Sequence, residues 1–260
     1  MTGMFKRLKK VSRETWISVF AAAFLLGMWE AAIDLDWVNS AFIVSPSTIV
    51  TATVRLARSG DLGEHVYTTL IRMILGFIAG SIPGMIIGLA MGWSKTLRAI
   101  LDPVVSVVYP LPKIALLPLI MLVVGIGESP IILLVALGAF FPVLINCIAG
   151  VNNIAPIYFD VAQNYGASRF KIFTRVILPG SLPVALAGFR LALGISLLLT
   201  VVAELAIATK GIGAMLWLSW QTLRVERIYV AIAVIAALGL ILNWLLGIAS
   251  RRLVPWQESR

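Results

Sequence analysis

At 260 residues the chain is 60% apolar and only 13% charged, with a mean hydropathy of +0.99. A water-soluble domain of this size would be roughly 45–50% apolar and about 25% charged. The excess is gathered into long blocks, which excludes an ordinary soluble fold and points to a bilayer. A net charge of +9 does not mark a nucleic-acid partner here, because the basic residues fall in short segments between apolar blocks, with no aromatic-interleaved basic face. One cysteine, Cys147, and one histidine, His65, leave no disulfide framework and no His/Cys metal site.

The basic segment 1–15 is followed by an apolar stretch with no small-residue cleavage site, so that stretch reads as a retained first span. Six blocks, at 16–33, 66–93, 99–126, 131–151, 184–208 and 228–250, can each cross about 30 Å of hydrocarbon at about 1.5 Å per helical residue. The chain is therefore expected to be an all-α membrane protein with a six-helix domain over 16–250 and a tail over 251–260. After the first block, Ser45-Pro46-Ser47 precedes a polar stretch in which Ser47 is expected to cap a short helix presenting Ile49, Val50, Val54 and Ala57. In the second block Gly76, Gly80, Gly84 and Gly88 recur every fourth residue, a face that lets another helix approach closely, within the chain or from a second one.

The third block holds Pro103, Pro110, Pro112 and Pro118. Each interior proline removes a helical hydrogen bond, which a membrane tolerates only where neighbours or a water-lined cavity satisfy the freed carbonyls. The expectation is a bent, pathway-lining segment, with Tyr109, Pro110, Pro112 and Lys113 at the break. Gly127, Glu128, Ser129 and Pro130 form the tight turn into the fourth block.

With both termini in the cytoplasm, the basic residues divide about 13 inside against about 5 outside. The inside set is Lys6, Arg7, Lys9, Lys10, Arg13, Lys95, Arg98, Arg169, Lys171, Arg175, Arg251, Arg252 and Arg260; the outside set is Arg55, Arg58, Lys210, Arg224 and Arg227. That places the segment 152–183, between spans four and five, in the cytoplasm. There Pro156 is suited to start a short helix, and Ile157, Val161 and Tyr165 form one apolar ridge. Gly166 is a natural left-handed stop. Ser168 can cap a second helix, with Phe170, Phe173 and Ile177 on one face, ending at Leu178-Pro179. The hairpin is either a cover for the cytoplasmic mouth or a docking element for a partner protein.

Asp160-Val161-Ala162, Gly166 and Val176-Ile177-Leu178-Pro179 keep the spacing of the E-A-A, G, I-x-L-P motif. In this the chain resembles the permease subunits of ATP-binding-cassette importers of the type I fold. Asp160, Val161 and Val176 are the conservative departures. Pro110-Leu111-Pro112-Lys113-Ile114-Ala115-Leu116-Leu117-Pro118-Leu119, Gly125-Ile126-Gly127-Glu128, Ala203-Glu204 and Gly211-Ile212-Gly213 look like the nitrate/sulfonate/taurine branch, which also includes bicarbonate systems. The resemblance implies a multi-pass inner-membrane protein whose coupling helix, at Asp160, Val161, Ala162, Tyr165, Gly166, Ala167 and Ser168, docks on a cytoplasmic ATPase. It further implies a second copy of the chain, an ATPase dimer, and a periplasmic or lipid-anchored solute-binding protein, with a small anion as solute.

No G-x-x-x-x-G-K-[S/T] loop occurs, and Ser94-Lys95-Thr96 lacks the required glycines. ATP is then expected on a partner, with no cofactor in this chain. A serine–histidine enzyme would need its histidine at membrane depth, where His65 does not fall, and no span carries paired carboxylates. An ion-gradient transporter is the stronger rival, but it calls for inverted repeats that the chain lacks.

Arg72, Asp102, Lys113, Arg190 and Glu204 fall within apolar blocks, where a lone charge costs at least about 2.5–3.5 kcal/mol. Axial depth pairs Arg72 with Glu204 and Asp102 with Arg190. Lys113 is left to face the aqueous path or to reach carbonyls freed by Pro112 and Pro118.

Overall fold

The computed structural model describes residues 13–38 and 42–256. Lys6, Arg7, Lys9, Lys10 and Arg260 lie outside these. Among the described residues there is no strand. In chain order the helices are α1 (Arg13–Asp34), α2 (Pro46–Arg58), α3 (Asp61–Trp93), α4 (Lys95–Val108), α5 (Leu117–Val124), α6 (Glu128–Asn152), α7 (Pro156–Asn164), α8 (Arg169–Ile172), α9 (Leu178–Ile207), α10 (Ile212–Gln221) and α11 (Val225–Leu253). Among the described residues, five stretches are long and apolar enough to cross a bilayer: Trp16–Asp34, Asp61–Trp93, Glu128–Asn152, Arg169–Ile207 and Val225–Leu253. The pair Lys95–Val108 and Lys113–Val124, bent by 89°, makes a sixth if it is one broken span.

Helix α6 is the centre. It is apolar on every side, and Leu134, Val135, Ala139, Val143, Leu144 and Cys147 are all buried. Helices α3 and α9 flank it. Against α3 the contact is made by the glycine face, so that seam lies within the chain. A Cβ on Gly76 would come 2.8 Å from the carbonyl oxygen of Ile132, one on Gly84 2.6 Å from that of Phe140, and one on Gly88 2.6 Å from that of Leu144. On Gly80 it would overlap the carbonyl oxygen of Ala136. Four-residue steps on one helix meet four-residue steps on the other, and both numberings ascend, so α3 and α6 run parallel. The α4–α5 segment must therefore carry the chain from one end of the bundle to the other, as one bent crossing.

Two local expectations need correction. Ser45, not Ser47, caps α2, because Pro46 takes the first helical position, where its missing N–H costs nothing. The Ser47 hydroxyl instead donates to Glu30 at 2.5 Å. The helix after Ser168 does not end at Leu178-Pro179. Residues Phe173–Ile177 widen into one π-turn, in which the Leu178 N–H reaches back five residues to the carbonyl of Phe173. That shift re-registers the ladder just ahead of Pro179, which has no N–H to offer, and the helix continues as α9 to Ile207. The connection between the last two spans also contains a helix, α10, which none of the six apolar blocks covers.

Candidate functional site

The bundle has two ends. One carries the α7–α8 hairpin, the α3–α4 junction and the C-terminus of α11. The other carries the start of α3, the α5–α6 turn, and α10.

At this second end, four elements converge on a buried carboxylate. Glu204, near the C-terminus of α9, is fully buried. It accepts from Arg72 Nη1 at 2.9 Å, from Thr69 Oγ1 at 2.9 Å, and from the backbone N–H of Gly213 at 3.0 Å. Thr69 in turn accepts from the N–H of Ile212 at 2.8 Å. The carboxylate and the hydroxyl thus satisfy the first free N–H groups of α10, which explains why this short segment is helical. Arg72 turns its other edge to Glu128, donating from Nη2 to Oε1 at 2.6 Å and from Nε to Oε2, and Nη1 also reaches the carbonyl of Lys210 at 2.6 Å.

Glycines make the geometry possible. Gly125 (φ 83°) and Gly127 (φ 143°) turn the chain through conformations that side-chain-bearing residues rarely adopt, setting Glu128 at the start of α6 beside Arg72. A Cβ on Gly211 would overlap the Glu204 carboxylate, and one on Gly213 would come 2.7 Å from Glu204 Cβ.

The Arg72–Glu204 pair expected from depth is formed. Glu128 and Thr69 were missed as its partners: Glu128 read as a turn residue, and a lone threonine carries no signal. The expected Asp102–Arg190 pair is not formed. Both side chains are exposed, with no ion pair between them among the described residues. α4 packs on α3 and α6 through Leu97, Leu101 and Val105, while Arg190 lies over Gly247 of α11.

At the α4–α5 break lies a cavity of about 410 Å³, lined by Tyr109, Pro110 and Lys113 together with Phe141, Ile195 and Leu198. Pro112 is not in its wall. Lys113 Nζ donates to the carbonyls of Val108 (3.1 Å), Leu111 (3.0 Å) and Tyr109. Val108 is the residue whose helical partner would have been the N–H that Pro112 lacks. The ammonium also lies 4.9 Å from the centre of the Phe141 ring. Lys113 therefore both closes the broken helix end and forms one wall of the cavity.

At the other end, α7 closes at Gly166, whose φ is 70°. Its N–H bonds to the carbonyl of Gln163 at 2.8 Å, and that of Ala167 to Ala162 at 2.9 Å, a paired closure that needs a left-handed residue. Ser168 caps α8. Phe159, Ala162, Ala167, Phe173 and Val176 pack onto the core. Ile157, Val161, Tyr165 and Phe170 remain exposed, Tyr165 by 89%. Phe170 was expected to share one face with Phe173 and Ile177; those two pack inward, whereas Phe170 is exposed. Asp160 is exposed and makes no ion pair among the described residues.

The family model described as "Binding-protein-dependent transport system inner membrane component" matches residues 69–255. The chain belongs to this family. It is a permease subunit of an ABC importer and a multi-pass protein of the inner membrane. It is 36% identical over 259 residues to the taurine transport system permease protein TauC of Escherichia coli (strain K12), covering 96% of this chain and 94% of that one. It is 34% identical over 237 residues to the putative aliphatic sulfonates transport permease protein SsuC of Bacillus subtilis (strain 168), covering 91% and 86%. A solved bacterial ABC transporter involved in import of the acidic polysaccharide alginate shares the fold, with a TM-score of 0.64 at 18% identity over 91% of each chain. In this permease the family match begins at Thr69 and takes in Arg72, Glu128 and Glu204, so the whole Glu204 network lies within it.

Proposed function

We propose that this permease forms half of a two-fold pathway for a small anion of the alkanesulfonate class, with taurine, nitrate and bicarbonate as related candidates. A second copy supplies the other half, a cytoplasmic ATPase dimer binds and hydrolyses ATP, and an external periplasmic or lipid-anchored solute-binding protein delivers the solute. The observation that carries this reading is the α7–α8 hairpin, which leaves Ile157, Val161, Tyr165 and Phe170 uncovered on a core-anchored elbow. An apolar ridge in water needs a partner, and a rigid elbow passes on movement that a loose loop would absorb. We place the hairpin and both termini in the cytoplasm, as the excess of basic residues at that end favours. Asp160, Val161, Ala162, Tyr165, Gly166, Ala167 and Ser168 form the coupling element. The names of the TauC and SsuC relatives support the solute class.

Co-expression with the cognate ATPase is expected to yield a two-plus-two complex by native mass measurement. A lone chain that moves solute on an ion gradient would overturn the proposal. Gly166→Val should abolish recovery of the ATPase with the permease while leaving the spans folded, because the position is open in space but left-handed in backbone. Gly166→Asn, which tolerates that region, should retain most of it.

For the pathway we assign Tyr109, Pro110 and Lys113 to the wall and Pro112 to the bend. Lys113→Met is expected to raise the anion concentration for half-maximal uptake by about tenfold or more, the worth of a hydrogen bond to a charged group. Lys113→Arg should restore much of it. Unchanged anion uptake by Lys113→Met would remove the residue from the pathway.

A further inference from the structure

A cavity of about 630 Å³ opens at the Glu204 end, between the α1–α2 connection and the α10–α11 turn. Its polar wall is formed by Ser45, Thr48, Arg55, Arg224, Glu226 and Arg227, and Ile33, Val44, Leu56 and Val225 supply an apolar one. Arg55 Nη2 lies 2.5 Å from Glu226 Oε2, and Arg227 Nη1 lies 3.2 Å from Asp61 Oδ2, so two of these guanidiniums are neutralised. Arg224 has no such partner: it is exposed and makes no ion pair among the described residues. It also borders a second cavity, of about 250 Å³, with His65 and Thr222.

The position of Arg224 is set by the backbone. Leu223 sits at φ 54°, which bulky residues rarely adopt, and closes α10 with the Arg224 N–H bonded to the carbonyl of Ser219 at 2.9 Å. Aromatic residues mark the level. Trp29 packs against Tyr229 at 6.2 Å between ring centres, the Tyr229 hydroxyl donates to the carbonyl of Phe42 at 3.2 Å, and Trp37, Trp217 and Trp220 are exposed. Tryptophan and tyrosine concentrate where hydrocarbon meets headgroups. The apolar spans α1 and α11 end and begin at the same place, at Asp34 and Val225.

A recess at this boundary, apolar on the wall that continues into the spans and carrying an unneutralised guanidinium at its polar rim, fits an amphiphile with an anionic head. We propose that it binds the headgroup of an anionic glycerophospholipid, with Arg224 paired to the phosphodiester and the acyl chains lying on α1 and α11. The planar guanidinium fork matches two phosphate oxygens at once.

The test is native mass measurement on the purified full-length chain, titrated separately with phosphatidylglycerol and phosphatidylcholine. One phosphatidylglycerol should bind in preference, and Arg224→Gln should weaken it by about tenfold or more, as loss of a charge-assisted bond implies. Phosphatidylcholine binding should not change. Arg252→Gln, at the opposite end, should leave both lipids as in the parent, and Arg224→Lys should recover part of the loss. Melting curves matched to the parent establish that the variants are folded. If Arg224→Gln holds phosphatidylglycerol as tightly as the parent, the assignment is wrong. If millimolar inorganic phosphate displaces the lipid, the cavity is a free-anion site. If an added solute-binding protein displaces it, the surface is a protein interface.

Discussion

Replacing Arg72 with methionine is expected to lower the apparent melting temperature of the purified permease by about 10 °C or more, following a loss of about 3–5 kcal/mol. Glu204 is fully buried, and Arg72 is the cation that faces it. Removing the guanidinium leaves a charge that cannot reach water. Glu204→Gln should cost much less, because an amide still accepts from the Gly213 N–H and the Thr69 hydroxyl while Arg72 keeps Glu128. The double variant Arg72→Met/Glu204→Gln should therefore recover a substantial part of the loss, which distant, independent sites would not do. Glu128→Gln should be milder than Arg72→Met, since the Glu128 side chain is 61% exposed and solvent can replace its partner. Melting curves of the four variants, followed by tryptophan fluorescence, decide the matter. If Arg72→Met melts with the parent, Glu204 does not depend on its ion pair.

The second large effect belongs to the seam between α3 and α6. Gly80→Ala places a methyl group on the carbonyl of Ala136, and neither atom belongs to a flexible side chain that could move aside. The two helices must separate, loosening the contacts at Gly76, Gly84 and Gly88 as well. A loss of about 1–3 kcal/mol or more is expected, and Gly80→Leu should leave little folded protein to recover from the membrane. Gly194→Ala is the control. It lies inside α9 with nothing within 4 Å of a built Cβ, so the same chemical change should be neutral or stabilising by up to about 1 kcal/mol. Equal melting of Gly80→Ala and Gly194→Ala would show that the backbones do not meet as described.

The two depth-based pairings had the same sequence evidence and different outcomes. Arg72 and Glu204 stand on helices that face one another across the α10 N-terminus, and they bond. Asp102 and Arg190 were placed at similar levels, yet α4 turns its apolar side to α3 and α6 while Arg190 lies over α11. Rise per residue fixes how far along the bundle axis a group lies, but not which way round the helix it points or which helix comes next to it.

Hydropathy and glycine and proline placement, read alone, determined the spans, the broken third crossing, the left-handed Gly166 and the close-packing face of α3. Each of these follows from properties that a residue carries wherever it is put: transfer free energy, a missing Cβ, a missing N–H. Only the tertiary structure decided that the glycine face meets α6, that Pro179 is bridged by a π-turn, and that residues 212–221 form a helix. It also brought Glu128 and Thr69 to Arg72 and Glu204. These depend on partners far apart in the chain. Ten residues make too short a helix to persist alone, and α10 persists because a carboxylate from α9 and a hydroxyl from α3 meet its free N–H groups.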